Sequence, residues 1–174
     1  MTREWAAQYG SSFVEKGTRM SAQQAYEINK ALEGTEEGVG EWFEIDQDRV
    51  NAFADATLDH QFIHIDPERA KATPFGGPIA HGFLTLSLLV HLDKTIPKAP
   101  ERFAGAVMGV NVGLDRVRFI NPVPVGSRVR GRSEISQVEL KGDAVQTKRT
   151  LTVEIEGSDK PAMIAEWITR TFYG

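Results

Sequence analysis

The segment Ile79-Ala-His-Gly-Phe-Leu-Thr-Leu-Ser-Leu-Leu-Val-His-Leu92 is apolar on nearly every side, and a helix of that character has to be enclosed by the rest of its chain. The C-terminal part of the chain supplies the enclosure. From Ala104 the period changes to that of strands, at 107–112, 115–120, 127–139, 144–156 and 162–172, punctuated by Asn121-Pro-Val-Pro-Val-Gly126 and Lys141-Gly-Asp143. In Leu151-Thr-Val-Glu-Ile155 alternate side chains point to opposite faces, as in an antiparallel sheet with one solvated side. One buried helix followed by a run of such strands predicts an α+β fold, a sheet wrapped around the helix.

The 174 residues suit one domain able to bury a continuous core. Residues 1–39 read as an N-terminal extension and helix, and 40–174 as the domain. The first 20 residues show no clean period, and Met20 is an alternative initiator ahead of a helical run from Ala22 to Leu32. Glu41-Trp-Phe-Glu-Ile45 reads as a short strand. Asp46 then caps a helix whose Val50, Phe53, Ala54 and Thr57 follow i, i+3, i+4, i+7 and which ends near Leu58. Residues 59–78 hold Pro67, Pro74, Gly76, Gly77 and Pro78, so the segment is mainly loop, with one helical turn at Pro67–Ala70.

A formal charge of −4 without a block of Lys or Arg gives no footprint for nucleic acid or an anionic membrane. No stretch approaches the roughly 20 apolar residues that span a bilayer, and the start lacks a secretory signal, so the expected address is the cytoplasm. The absence of cysteine removes thiolate nucleophiles, zinc–cysteine sites and iron–sulfur clusters. Any chemistry must use oxygen and nitrogen groups.

The densest polar chemistry lies in Thr57-Leu-Asp-His-Gln-Phe-Ile-His-Ile-Asp66, where Asp59 stands five residues before His64. On an irregular loop that spacing lets a carboxylate and an imidazole converge on one small volume. Adding water across a conjugated thioester needs a base for the water, a proton donor for the α-carbon, and donors for the enolate-like oxygen. Asp59 and His64 can supply the first two. The third is available from backbone N–H groups where the buried helix starts, at Gly82, whose missing side chain lets a carbonyl approach. Taken by themselves these residues also have an ordinary reading, with Asp59 a turn residue, His64 a hydrogen-bonded loop histidine and Gly82 a packing glycine, and the usual loop role of Asp favours it.

The stretch Phe53-Ala-Asp-Ala-Thr-Leu-Asp-His-Gln-Phe-Ile-His-Ile-Asp-Pro-Glu-Arg-Ala70, followed by Pro74-Phe-Gly-Gly-Pro-Ile-Ala-His-Gly-Phe-Leu-Thr-Leu-Ser87, closely resembles the MaoC-like, or (R)-specific enoyl-CoA hydratase, family of hot-dog-fold proteins, its nodulation-protein-N-like branch in particular. A third block, Asn111-Val-Gly-Leu-Asp-Arg-Val-Arg-Phe119 with Pro122-Val-Pro-Val-Gly-Ser127, is similar to the family's strand-turn-strand. The resemblance implies a hot-dog fold, a homodimer with a substrate tunnel at its interface, and an acyl-CoA thioester substrate. It implies that Asp59 and His64 hold the reacting water, Asp59 as general base and His64 orienting the water and assisting proton delivery. It places the carbonyl-binding N–H at Gly82, with Gln61 supplying an amide contact; His81, just before Gly82, matches either a residue lining the site or a packing and hydrogen-bonding residue at a helix start. No cofactor is implied, coenzyme A being part of the substrate.

The chain departs from the broad family pattern at Leu58, where many members have glycine, at Gln61-Phe62 in place of Asn-Pro, and at Val90, where some carry a serine. Leu58 adds bulk where glycine would permit positive φ. His60, His64 and Asp66 invite a metal reading, but no further ligand lies on a defined helix, so none is assigned. Asp55 and Asp66 suit helix-face and turn roles, and His91 a structural one. Arg116, Arg118, Arg128 and Arg130 match either coenzyme A phosphates or outward strand positions. Phe62, Phe83, Leu84 and Leu88 match either an acyl pocket or core packing. An acyl-CoA thioesterase and a non-catalytic acyl-thioester-binding subunit are the rival functions, since one fold hosts several chemistries.

Overall fold

A computed structural model of the chain describes residues 20–174, so the first part of the expected N-terminal extension lies outside the described residues. Ser21 opens the first helix, α1 (Ala22–Lys30), by a capping box with Gln24, which satisfies two otherwise unpaired donors. Two short strands follow, β1 (Glu36–Val39) and β2 (Phe43–Glu44). Helix α2 (Gln47–Thr57) starts at Asp46, whose carboxylate accepts from the Arg49 N–H at 2.7 Å. Val50 and Ala54, on its inner stripe, are fully buried.

The expected loop contains two short helices, α3 (Phe62–Ile65) and α4 (Pro67–Lys71), the second capped by Asp66 with Pro67 in its first turn. Four long strands complete the chain: β3 (Ala106–Phe119), β4 (Arg128–Lys141), β5 (Ala144–Ile155) and β6 (Met163–Tyr173). The sheet is antiparallel, in the order β1-β4-β5-β6-β3 with β2 also on β4. β3 is one continuous strand where two were expected, its pairing with β6 slipping at Asn111/Gly113 and Leu114/Arg116. Such bulges break the sequence alternation without ending the strand. β1 pairs with β4, and α1 buries Ala22 and Ala25 against Ile135, Val138 and Val145, so the segment before residue 40 sits on the same sheet.

The apolar segment differs most from expectation. Ile79 and Ala80 are extended, held by a bridge to Pro124 and an N–H bond to the Val123 carbonyl. Helix begins only at Gly82 and is divided at Leu88 into α5 (Gly82–Ser87) and α6 (Leu89–Lys94). It is not enclosed all round: Phe83 and Val90 are exposed. The other side carries Leu84, Leu89 and Leu92 into a core shared with Val129, Leu151, Val153, Met163 and Trp167 from the sheet. Gly131 lets β4 pass close to the helix, since a Cβ there would stand 3.3 Å from the Leu92 Cβ.

Candidate active site

Four chain segments meet at the site. Leu58 ends α2 in the left-handed region at φ 63, ψ 21, turning the chain so that Asp59 leaves the helix axis. Positive φ is uncommon for a residue with a branched side chain. The glycine-like geometry expected at this position is therefore present, adopted by leucine. Its side chain is 82% exposed, so solvent takes the bulk. Asp59 follows as an exposed residue.

Gln61 is the N-cap residue of α3 and makes no side-chain cap bond, while its carbonyl accepts from the His64 N–H at 2.9 Å. The single turn of α3 carries His64 inward, where it is buried. The His64 Nδ1 lies 2.7 Å from the Ile79 carbonyl oxygen, which can only accept, so Nδ1 carries the proton and the neutral ring offers a lone pair at Nε2. Burial, chiefly, with the neighbouring His81, lowers the His64 pKa below the ordinary histidine value; the Ile79 carbonyl and Asp59 act in the opposite sense. The ring is therefore neutral near pH 7.

His81, the residue before α5, is only 1% exposed. Its ring stacks on His64 with centroids 3.8 Å apart and meets Phe53 at 5.1 Å. Its Nε2 donates to the Asp59 backbone carbonyl at 3.0 Å, leaving a buried Nδ1 without a partner. His81 thus ties the Asp59 loop to the helix start. One side-chain ligand atom from each of Asp59, His64 and His81 lies within 4.8 Å of the others. That set has metal-ligand composition, with the His64 Nδ1 and the His81 Nε2 already engaged by backbone carbonyls.

Gly82 is the first residue of α5. A Cβ there would stand 3.2 Å from three ring atoms of Phe119, which meets Phe83 at 6.0 Å. Phe119 was missed as a site residue because only the folded position of β3 brings it over Gly82. Of the other candidates, Asp55 pairs with His60 at 2.8 Å on the surface, Asp66 caps α4, and His91 packs on Phe43. Arg128 and Arg130 pair with Glu156 and Glu154, and Arg116 lies 3.6 Å from Glu166. Leu84 is core, Phe83 is exposed, and Phe62 lies under the Arg69 guanidinium.

Comparison with known proteins gives this geometry a family. Residues 24–157 match the model of the MaoC-like domain. The chain belongs to the MaoC-like dehydratase family. Nodulation protein N of Rhizobium leguminosarum bv. viciae is 52% identical to this MaoC-like chain over 139 residues, 78% of the chain and 84% of the relative. The 3-hydroxyacyl-thioester dehydratase Z of Mycobacterium tuberculosis (strain ATCC 25618 / H37Rv) is 51% identical over 141 residues, 80% of the chain and 91% of the relative. Among solved structures, the (R)-hydratase of A. caviae involved in PHA biosynthesis superposes with TM-score 0.59 at 25% identity, covering 75% of this chain and 94% of that one. The fold is the hot-dog fold of these dehydratases. Among the described residues no helix is long and apolar enough to cross a membrane.

Proposed function

We propose that this MaoC-like protein adds water reversibly to a trans-2-enoyl-CoA thioester, giving the (R)-3-hydroxyacyl-CoA. The observation that carries the reading is the convergence of Asp59 and a neutral, Nε2-accepting His64 beside the helix start at Gly82. Water held between the two groups is activated by the Asp59 carboxylate, while the His64 Nε2 accepts its other hydrogen and fixes its direction. The water oxygen bonds to the β-carbon as the double-bond electrons move onto the thioester oxygen. The Gly82 N–H stabilises that oxygen. The proton taken from the water then goes to the α-carbon on the same face with help from His64. Both added groups come from one water, so addition is syn.

Gln61 and His81 complete the site in this reading, Gln61 at its exposed rim and His81 as the residue that positions Asp59. The step needs neither a metal nor a redox cofactor. The setting is cytoplasmic, and residues 40–174 form the catalytic domain on which α1 and β1 dock. The partner is a second copy of the chain: β3 is an outer strand of the sheet, and it leaves Val107, Met108, Val112 and Leu114 exposed, a combination that invites strand pairing.

The test is the loss of enoyl-thioester absorbance when purified protein meets crotonyl- or octenoyl-CoA. Asp59→Asn should lower kcat by about 10²–10⁴-fold, the usual worth of a positioned base. No turnover at any chain length, or full activity in that variant, overturns the proposal. Thiol release without hydration identifies a thioesterase instead.

A further inference from the structure

The helix that starts at the site lines two adjoining cavities further along its length. Phe83, Leu86, Ser87, Val90 and Asp93 recur at helical spacing along α5 and α6, opposite β3. A cavity of about 170 Å³ is lined by Leu86, Val90, Asn111, Leu114 and Trp167. It shares Val90, Asn111 and Trp167 with a second of about 500 Å³ toward Asp93. From Gly82 to Asp93 the helix rises about 16 Å, which suits an acyl chain of medium length.

A path for a plain hydrocarbon tail would end on apolar side chains. This one carries charge at its far end, beside Phe103, Val107, Met108 and Val145. Lys98, Arg102 and Arg149 line the far cavity with Asp93 as the carboxylate among them. Arg102 bonds Glu37 at 2.5 Å, Arg149 bonds Asp93 at 2.5 Å and lies 3.5 Å from Glu37, and Lys98 meets Asp93 at 2.6 Å. Three cations share two carboxylates, so the cluster holds one positive charge in excess. The Arg149 residue is only 7% exposed, and its buried Nε–H meets no acceptor. A buried, charged donor left unpaired is costly, and since Arg149 itself lines the cavity an anion there would offset its charge.

We propose that this far end receives the terminal carboxylate of the acyl group, so that the substrate is the monothioester of a medium-chain dicarboxylic acid rather than of a simple fatty acid. The inference rests on the hydratase reading for the position of the thioester, whereas the anion subsite rests on Arg149, Lys98 and Arg102. The carboxylate accepts from the Arg149 guanidinium and balances the excess charge. A second copy along β3 would roof the cavities between the two ends.

Isothermal titration of the full chain with decanoyl-CoA and with its ω-carboxylated counterpart separates the possibilities, because neither saturated ester is turned over. The carboxylated ester should bind about tenfold tighter, as one charge-assisted hydrogen bond provides. That advantage should vanish in Arg149→Gln and shrink in Lys98→Met, which sits at the cavity wall and guards against a fold defect in the first variant. Equal or weaker binding of the carboxylated ester overturns the inference, as does an advantage that survives both substitutions. Free sebacate binding at the same strength as the carboxylated ester overturns it too, by showing an anion site unconnected to the acyl path. The hydration assay with plain octenoyl-CoA is independent: its failure beside a retained tenfold preference removes the hydratase reading and leaves the subsite.

Discussion

Leu58 shows how one residue can carry a backbone requirement its side chain resists. A leucine in the left-handed region gives up roughly 1–2 kcal/mol, and here its exposed side chain recovers none of it by burial. Leu58→Gly should therefore raise stability, by about 1 kcal/mol or less after the extra chain entropy of glycine is counted, as read from urea unfolding. The retained leucine holds the turn that presents Asp59. His64 gives the second expectation at this scale. Its folded-state pKa is lowered, mainly by burial, so between that value and about 6.5 the unfolded chain binds more protons than the folded one. Stability from this group is full above pH about 6.5 and falls as the pH drops through that window. His64→Gln should flatten the loss of melting temperature between neutral and mildly acid pH, and an unchanged slope would contradict it.

At the scale of elements, β1 matters more than its four residues suggest. Glu37 has a side chain 1% exposed, bonded to Arg102 of the 3-10 turn Pro100–Phe103 and to Ser133 of β4, and close to Arg149 of β5. It thereby joins four elements. Burial alone would raise its pKa, but Arg149, Ser133 and Arg102 together hold it below the ordinary carboxylate value. A lowered carboxylate contributes stability that is present above its unfolded pKa and lost as the pH falls through the folded one. Glu37→Gln should cost about 3–5 kcal/mol in denaturant unfolding, since it leaves buried cations short of a partner. A loss under about 1 kcal/mol would show the network to be dispensable. The sequence carried a signal for this cluster: the alternation of Leu151, Val153 and Ile155 extended back by two places puts Arg149 on the inward face, where a charge needs a partner.

For the whole molecule, the exposed outer strand sets the expectation of a dimer. Val112 is 47% exposed on β3 and lines neither cavity. Val112→Lys should shift light-scattering mass toward that of a monomer, since a charge on an outer strand opposes pairing; an unchanged mass would place the interface elsewhere. The fold was largely legible beforehand, as strand periods, turn residues and the Asp46 cap are local patterns. The start of the helix was not, because Ile79 and Ala80 fit helix and strand equally well and only Pro124 and Val123 across the chain decide between them. In the same way, Asp59, His64 and Gly82 were open to an ordinary reading by residue type, and the resemblance made them site candidates. The sequence by itself determined the chemistry available, an α+β fold with strands after a helix, and the want of glycine at Leu58. Tertiary structure decided that His81 would clasp the Asp59 carbonyl, that Phe119 would cover Gly82, and that the Nε–H of Arg149 would lack an acceptor. Each joins residues far apart in the chain, and such distances follow from strand register and packing, which no local period encodes.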